Sequence, residues 1–303
     1  MRFRHLLGAV ALAACCPIVA GTQGAAPAAQ PALNRMNALL AEGKTVFGSF
    51  VGNKTPEGAA QLSRNELPDF VVYDTEHSPY DITEMRVFMQ FLLDPAGIVR
   101  RGSAVQAPFF VRIPANGREM NQWMIKQLLD QGVHGIMAPH VETADQAVNI
   151  VRSMRYPHRP GAPDYEPAGF RGAGPGNAIR WWGIPGDAYR AKADLWPLDP
   201  QGELTSLLLV ENQEGVKNID AIARTRGATV VFAAPGDFAS AYVGDGAAVE
   251  GAIQAVLAGC RAANVACGIT AGPQDVEQRI REGFRVLVGG DEMIRVGRKA
   301  TGR

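Results

Sequence analysis

The chain has 303 residues, and Lys+Arg and Asp+Glu both count 30, so no net charge draws it to nucleic acid. Hydrophobic residues make up 47% and charged residues 20%, which supports a sizeable core and excludes a largely disordered chain. No basic stripe with interleaved aromatics appears.

The first 20 or so residues have the layout of an export signal. Arg2, Arg4 and His5 make a basic start, and Leu6 to Ala14 make an apolar run too short to span a membrane. Leu12-Ala13-Ala14-Cys15 resembles a bacterial lipoprotein cleavage box with Cys15 as the lipidated residue. Ile18-Val19-Ala20 before Gly21 is the competing, simple-secretion ending. Residues 21–33, rich in Ala, Pro, Gln and Gly, read as a flexible tether, which leaves 34–303 as the folded body. The expected location is the bacterial periplasm or a lipid anchor on a membrane.

From residue 34 strands and helices alternate. A helix over about 34–42 precedes the strand Val46–Phe50, and Thr55-Pro56 supplies an N-cap and a first-turn proline. The strand Phe70–Asp74 is followed by a helix near 82–93, then by a loop over 94–107. Phe109–Arg112 is the third strand, and a helix over about 118–131 carries Met120, Met124, Ile125, Leu128 and Leu129 at helical spacing. Gly135–Ala138 is the fourth strand, and Thr143-Ala144-Asp145-Gln146 reads as a capping box opening a helix through Met154. The alternation pauses over 155–206, where short helices are expected at 176–183 and 187–193. It resumes with strands at 207–211, 229–233, 265–269 and 285–289, and helices at 214–225, 247–263, from Pro273 and from Asp291.

Eight strands alternating with helices argue for a (β/α)8 barrel; a doubly wound open sheet is the runner-up. No G-x-G-x-x-G follows an early strand, and Gly172-Ala173-Gly174-Pro175-Gly176 lies in a loop. Cys260 falls on an apolar helix face and Cys267 in an apolar strand, so both read as packing residues. If the mature protein is exported, a disulfide between them is the alternative.

In a barrel the strand C-terminal ends share one face, and that face holds the site. Phe70-Val71-Val72-Tyr73-Asp74-Thr75-Glu76-His77 is an apolar strand that stops in two acids and a histidine. Such charges are costly beside a core unless they face water, a metal or a substrate. Arg112 ends the third strand, Glu211 the fifth, and Asp237 follows the sixth. Two carboxylates on neighbouring strands suit a hard divalent cation. An arginine stabilises a developing enolate or carboxylate, and a histidine moves protons near neutral pH. Together they fit proton abstraction beside a carbonyl, or carbon–carbon cleavage as its counterpart.

The ordered set Asp74-x-Glu76-His77-x-Pro79, Val111-Arg112, Lys126-Gln127-Leu128-Leu129-Asp130-x-Gly132, Arg155-Tyr156-Pro157, Gly169-Phe170-Arg171-Gly172, Glu211 and Pro235-x-Asp237 resembles the HpcH/HpaI aldolase/citrate lyase family. The resemblance covers about residues 34–299 and points to the class II pyruvate aldolases acting on 4-hydroxy-2-oxo acids. It implies a TIM barrel of the phosphoenolpyruvate/pyruvate type, a homo-oligomer (trimer or hexamer), and a keto acid and an aldehyde as small-molecule partners. It implies Mg²⁺ or Mn²⁺ on Glu211 and Asp237, and His77 as the base. It also implies Arg112 on the pyruvyl oxygens, Arg171 and Gly236 as further substrate contacts, and Asp74 supporting the metal's water shell. Asp130 would pair with the histidine, from a neighbouring subunit if not from its own chain. Two positions depart from the pattern. Leu209 stands where the family usually has glutamine, which removes a polar contact to the pyruvyl group. His140 stands after Pro139 where an apolar residue is common, and reads as a second polar contact or a structural histidine. The alternatives are a related lyase with a different acceptor, and an exported, non-catalytic binding protein on an aldolase scaffold.

Overall fold

The computed structural model describes residues 32–102, 106–114, 119–120 and 122–303. The expected export signal, the lipidation at Cys15 and nearly all of the tether lie outside them. The eight strands are β1 (Val46–Phe50), β2 (Phe70–Asp74), β3 (Phe109–Arg112), β4 (Gly135–Ala138), β5 (Thr205–Val210), β6 (Val230–Ala233), β7 (Ala266–Thr270) and β8 (Val286–Val288). All neighbours pair in parallel, and β8 returns to β1, closing a barrel in sequence order rather than an open sheet.

The helices between them are α1 (Arg35–Ala41), α2 (Pro56–Leu62), α3 (Ile82–Leu92), α4 (Pro95–Arg101), α5 (Gln122–Gln131) and α6 (Ala144–Met154). The long insertion before β5 carries α7 (Gly176–Trp182) and α8 (Gly186–Lys192). The second half adds α9 (Gln213–Lys217), α10 (Ile219–Ala223), α11 (Pro235–Ala241), α12 (Gly246–Ala263), α13 (Val276–Glu282) and α14 (Asp291–Ala300). The expected caps form: Thr55 accepts from the Gly58 N–H ahead of Pro56, and Thr143 with Gln146 makes the reciprocal capping box. Two corrections concern prolines. Residues 95–101, expected as loop, form α4, and Pro235 opens the unexpected α11. The expected helix over 214–225 is split into α9 and α10 at Asn218, which caps the first and starts the second.

Strand alternation divides the core in two. Val46, Phe70, Val72, Phe110, Met137, Leu207, Leu209, Val230, Phe232, Val286 and Val288 fill the barrel interior, and the residues between them face the helices. The three interior phenylalanines fit because glycines face them. A Cβ on Gly48 would lie 2.3 Å from the Phe70 ring, and one on Gly268 2.2 Å from the Phe232 ring. Leu209 and Phe232 are register partners, so an apolar pair floors the barrel beneath the last strand residues. Cys260 and Cys267 are buried free thiols with their Sγ atoms 2.6 Å apart.

Candidate active site

Every strand delivers its last residues to one rim, the mouth. Asp74 ends β2 and Arg112 is its register partner ending β3, so parallel pairing alone sets acid beside guanidinium. The pair is bidentate, Nε to Oδ1 at 2.8 Å and Nη2 to Oδ2 at 2.7 Å. Burial pushes the Asp74 carboxyl up, but the hydrogen bonds and charge of Arg112, with the backbone N–H groups of Glu76 and His77, outweigh it and hold Asp74 below its usual range. The third guanidinium nitrogen, Nη1, reaches Glu76 Oε2 at 3.1 Å. The guanidinium also lies over the Phe50 ring at 4.9 Å, so its plane is fixed on three sides.

Glu211 follows β5 with its side chain 1% exposed. Burial pushes its carboxyl up to about 8. The His140 N–H opposes the rise, the neighbouring acids Asp237 and Glu76 add to it, and Arg112 tempers it. Glu76 is also raised, by burial, against the pull of Arg112, His77 and His140. Asp237 stands in the first turn of α11, half-buried, and Gly236 beside it is exposed with open space where a side chain would be. His77 stands at the outer lip, 64% exposed, with Nε2 3.6 Å from Glu76 Oε2.

Thus the mouth gathers Asp74, Glu76, His77, Arg112, Glu211, Asp237 and Gly236. It also holds two further groups. His140 places Nδ1 3.1 Å from Glu211 Oε2 and Nε2 3.7 Å from Glu76 Oε1. Lys54, just before the Thr55 cap, donates to the Asp74 carbonyl and the Ser78 hydroxyl and lies 4.4 Å over the Tyr73 ring. Burial lowers the Lys54 pKa. Sequence reasoning passed over Lys54 because no charge pattern surrounds it; its place between the end of β1 and the N-cap of α2 was the available signal.

The chain does not bring Asp130 and Arg171 to the mouth. Helices run antiparallel to the strands, so Asp130, near the end of α5, lies at the N-terminal end of β4, the opposite face or base. There Arg171 meets it, Nη2 to Oδ1 at 3.2 Å, and also donates to the Tyr189 hydroxyl at 2.9 Å. The expected contact of Asp130 with His77 is absent within one chain, and Arg171 is removed from any substrate in its own mouth. Residues 155–204 continue along the base. His158, Asp164 and Asp194 have ligand-type atoms within 4.8 Å of one another, a cluster no sequence signal singled out. Arg155, fully buried, already occupies it, bonding Asp194 at 2.7 and 2.8 Å and the Pro167 and Asp164 carbonyls at 2.8 Å. A guanidinium sits where a cation would have to go, so this cluster is an ion-paired brace.

The mouth fits a divalent cation on its own chemistry. It gathers four carboxylates against Arg112 and Lys54. One of them, on Glu211, is buried and raised, and Glu76 Oε2 is buried with the Arg112 guanidinium as its ion-pair partner at 3.1 Å, outside hydrogen-bond geometry. Acids crowded this way repel one another until a cation or protons neutralise them. Glu211 directly follows β5 and Asp237 lies in the first turn of α11 after the neighbouring β6, so the two could hold the ion together.

Comparisons with known proteins agree with this geometry. The profile of the HpcH/HpaI aldolase/citrate lyase family matches residues 47–294. The chain is 32% identical over 272 residues to the 5-keto-4-deoxy-D-glucarate aldolase of Citrobacter koseri, covering 88% of this chain and 93% of the relative. It is 31% identical to the 4-hydroxy-2-oxovalerate aldolase of Novosphingobium aromaticivorans, covering 88% and 89%. Among solved structures, an HpcH/HpaI aldolase/citrate lyase family protein of Burkholderia cenocepacia J2315 superposes with a TM-score of 0.68 at 25% identity, covering 88% of this chain and 97% of that one. From rim acids to family profile, the observations converge: the chain belongs to the HpcH/HpaI aldolase/citrate lyase family and is a carbon–carbon lyase.

Proposed function

We propose that the protein is a divalent-metal-dependent aldolase that cleaves or forms a carbon–carbon bond in a 4-hydroxy-2-oxo acid by way of a pyruvate enolate. The observation that carries this reading is the buried, raised Glu211 facing Arg112, Asp237 and Glu76 across one rim. Glu211 and Asp237 would hold the cation, Mg²⁺ or Mn²⁺ being the ions that suit two carboxylates and water. When bound, it supplies Lewis-acid polarisation of the keto acid's carbonyl. Arg112, held flat by Asp74 and Phe50, presents its outer N–H edge to the keto-acid oxygens and stabilises the negative charge that develops there. Asp74 fixes that guanidinium and, through its own oxygens, supports the water around the site. His77 at the lip would take the proton of the 4-hydroxyl during cleavage and return it during synthesis. The apolar floor of Leu209 and Phe232 closes the bottom of the site to water.

A second copy of the chain would complete this mouth. Among the described residues the acid beside His77 is Glu76, and Asp130 sits at the base with burial raising its carboxyl despite Arg171 and Lys126. Trp123 is 51% exposed and Phe170 38%, and Val87 and Phe91 on α3 are exposed as well. Apolar surface near a base acid supports a homo-oligomer in which one chain's Asp130 approaches another's mouth. Arg171 then acts by holding Asp130, and Gly236 leaves room beside Asp237 for the aldehyde part.

The test is turnover of a pyruvate-yielding 4-hydroxy-2-oxo acid against metal concentration after chelator treatment. The wild type should lose activity on chelation and regain it with Mg²⁺ or Mn²⁺. Glu211→Gln should need more metal, and Asp237→Ala should resist rescue. Full activity in chelated wild type, with no change in metal dependence in either variant, would replace this reading with a metal-free lyase or a binding protein.

A further inference from the structure

His140 is a mouth residue to which the proposed function gives no task. Its backbone sits in the left-handed region at φ 51°, where a non-glycine residue is held only by its surroundings. Two bonds hold it there: its own N–H donates to Glu211 Oε2, and the next N–H, of Val141, donates to the Leu209 carbonyl at 2.9 Å. This conformation turns the imidazole back over Glu211 rather than out to solvent, and the side chain is 33% exposed.

The separations resemble those of a metal ligand pair. Two ligand atoms each about 2.1 Å from one cation, at right angles, lie about 3.0 Å apart; His140 Nδ1 and Glu211 Oε2 are 3.1 Å apart. The other ring nitrogen, Nε2, faces Glu76 Oε1 at 3.7 Å. A carboxylate behind the far nitrogen is the usual support of a ligating histidine, because it fixes the tautomer and raises the basicity of the near nitrogen. The neighbouring β5 position, Leu209, offers no ligand atom and is 3% exposed, so the polar group on this side of the mouth comes from β4 instead.

We propose that His140 is a third protein ligand of the mouth cation, through Nδ1, with Glu76 as its support. This rests on the metal site proposed above and changes its chemistry. An imidazole added to two carboxylates favours Mn²⁺ and, more strongly, Co²⁺ over Mg²⁺, which prefers oxygen and water. The site is then selective for a transition metal. Asp237, in the first turn of α11, would be the remaining carboxylate of the set.

The experiment loads metal-stripped full-length protein with Mn²⁺, Co²⁺ or Mg²⁺ alone and reads binding directly. His140→Met removes the nitrogen, and His140→Asn does so with a residue that tolerates the left-handed backbone, so a folding failure of the first leaves the second. Pulsed electron paramagnetic resonance of the Mn²⁺ form should show imidazole ¹⁴N coupling in the wild type and none in either variant. Co²⁺ binding should weaken on the order of tenfold or more in the variants, and Mg²⁺ binding by less than about threefold. Wild-type Mn²⁺ without ¹⁴N coupling, coupling that persists in the variants, or equal weakening for Co²⁺ and Mg²⁺ would each overturn the assignment while leaving the two-carboxylate site intact. A wild type that binds none of the three ions removes that site and this inference together.

Discussion

The mouth and the base of this barrel are built from the same residue types and are balanced in opposite ways. At the base, two arginines and a histidine meet three aspartates: Arg155 and His158 with Asp164 and Asp194, and Arg171 with Asp130. At the mouth, Arg112 takes Asp74 and Glu76, and His77 and His140 stand beside the acids, but among the described residues no arginine or lysine is paired with Glu211 or Asp237, and Glu211 is raised to about 8. Charge balance turns the base cluster into a brace for a long insertion. On the proposed reading, the acids at the mouth that no arginine or lysine meets are where a cation would bind, and they cost stability without it. Aspartates and a histidine close together do not mark a metal site; what sets a candidate apart is that no guanidinium or ammonium has already taken the cation's place.

The comparison can be broken at either end. The largest expected effect is at the mouth: His77→Ala should lower turnover roughly 10²–10⁴-fold while metal affinity and thermal stability stay near wild type, because His77 is exposed and outside the ligand set. Steady-state kinetics beside a metal titration reads both, and full activity would move the base role elsewhere. At the base, Asp194→Ala should cost about 3–5 kcal/mol, because it strands the fully buried Arg155. Denaturant titration measures it, and the folded fraction should keep the wild-type metal dependence. A smaller loss, about 1–3 kcal/mol, is expected from Gly268→Ala, whose new methyl meets the Phe232 ring.

A pH slope sharpens the contrast. Glu211 is raised when folded, from 4.5 to about 8, so the folded metal-free protein holds a proton there that the unfolded chain gives up. Its contribution to stability is complete below about pH 4.5 and is lost as pH rises toward 8. Melting of the metal-free protein across this window should show the loss, and Glu211→Gln should flatten it. Metal binding at pH 7 should release roughly one proton per ion, readable by calorimetry in two buffers. A metal-free protein whose stability is flat over the window in both forms would show that Glu211 is not the uncompensated acid.

Much of this was legible in the sequence, for reasons that also explain the misses. Strands ending in charge, such as Phe70–Asp74 and Phe109–Arg112, announce both barrel and rim, because parallel strands put all C-terminal ends together. The helix at Pro56 was readable because Thr55 announces its cap. The helices at Pro95 and Pro235 were not, because Asp94 and Ala234 make no side-chain cap bond and the prolines read as turns. Asp130 and Arg171 were legible as motif residues but not as residues of the base, since motif order carries no information about which end of a helix faces which end of the barrel. His140 was visible as a departure, and only the turn of its backbone shows that it leans on Glu211.

The most direct test of the mouth as a metal-assisted enolate site is exchange of pyruvate methyl protons with deuterated water, in the absence of any aldehyde. Exchange should appear with Mn²⁺ or Mg²⁺, stop with chelator, and fall sharply in Arg112→Leu, which removes the group that stabilises the developing charge. No exchange under any metal condition, or exchange that survives both chelation and Arg112→Leu, would contradict the assignment.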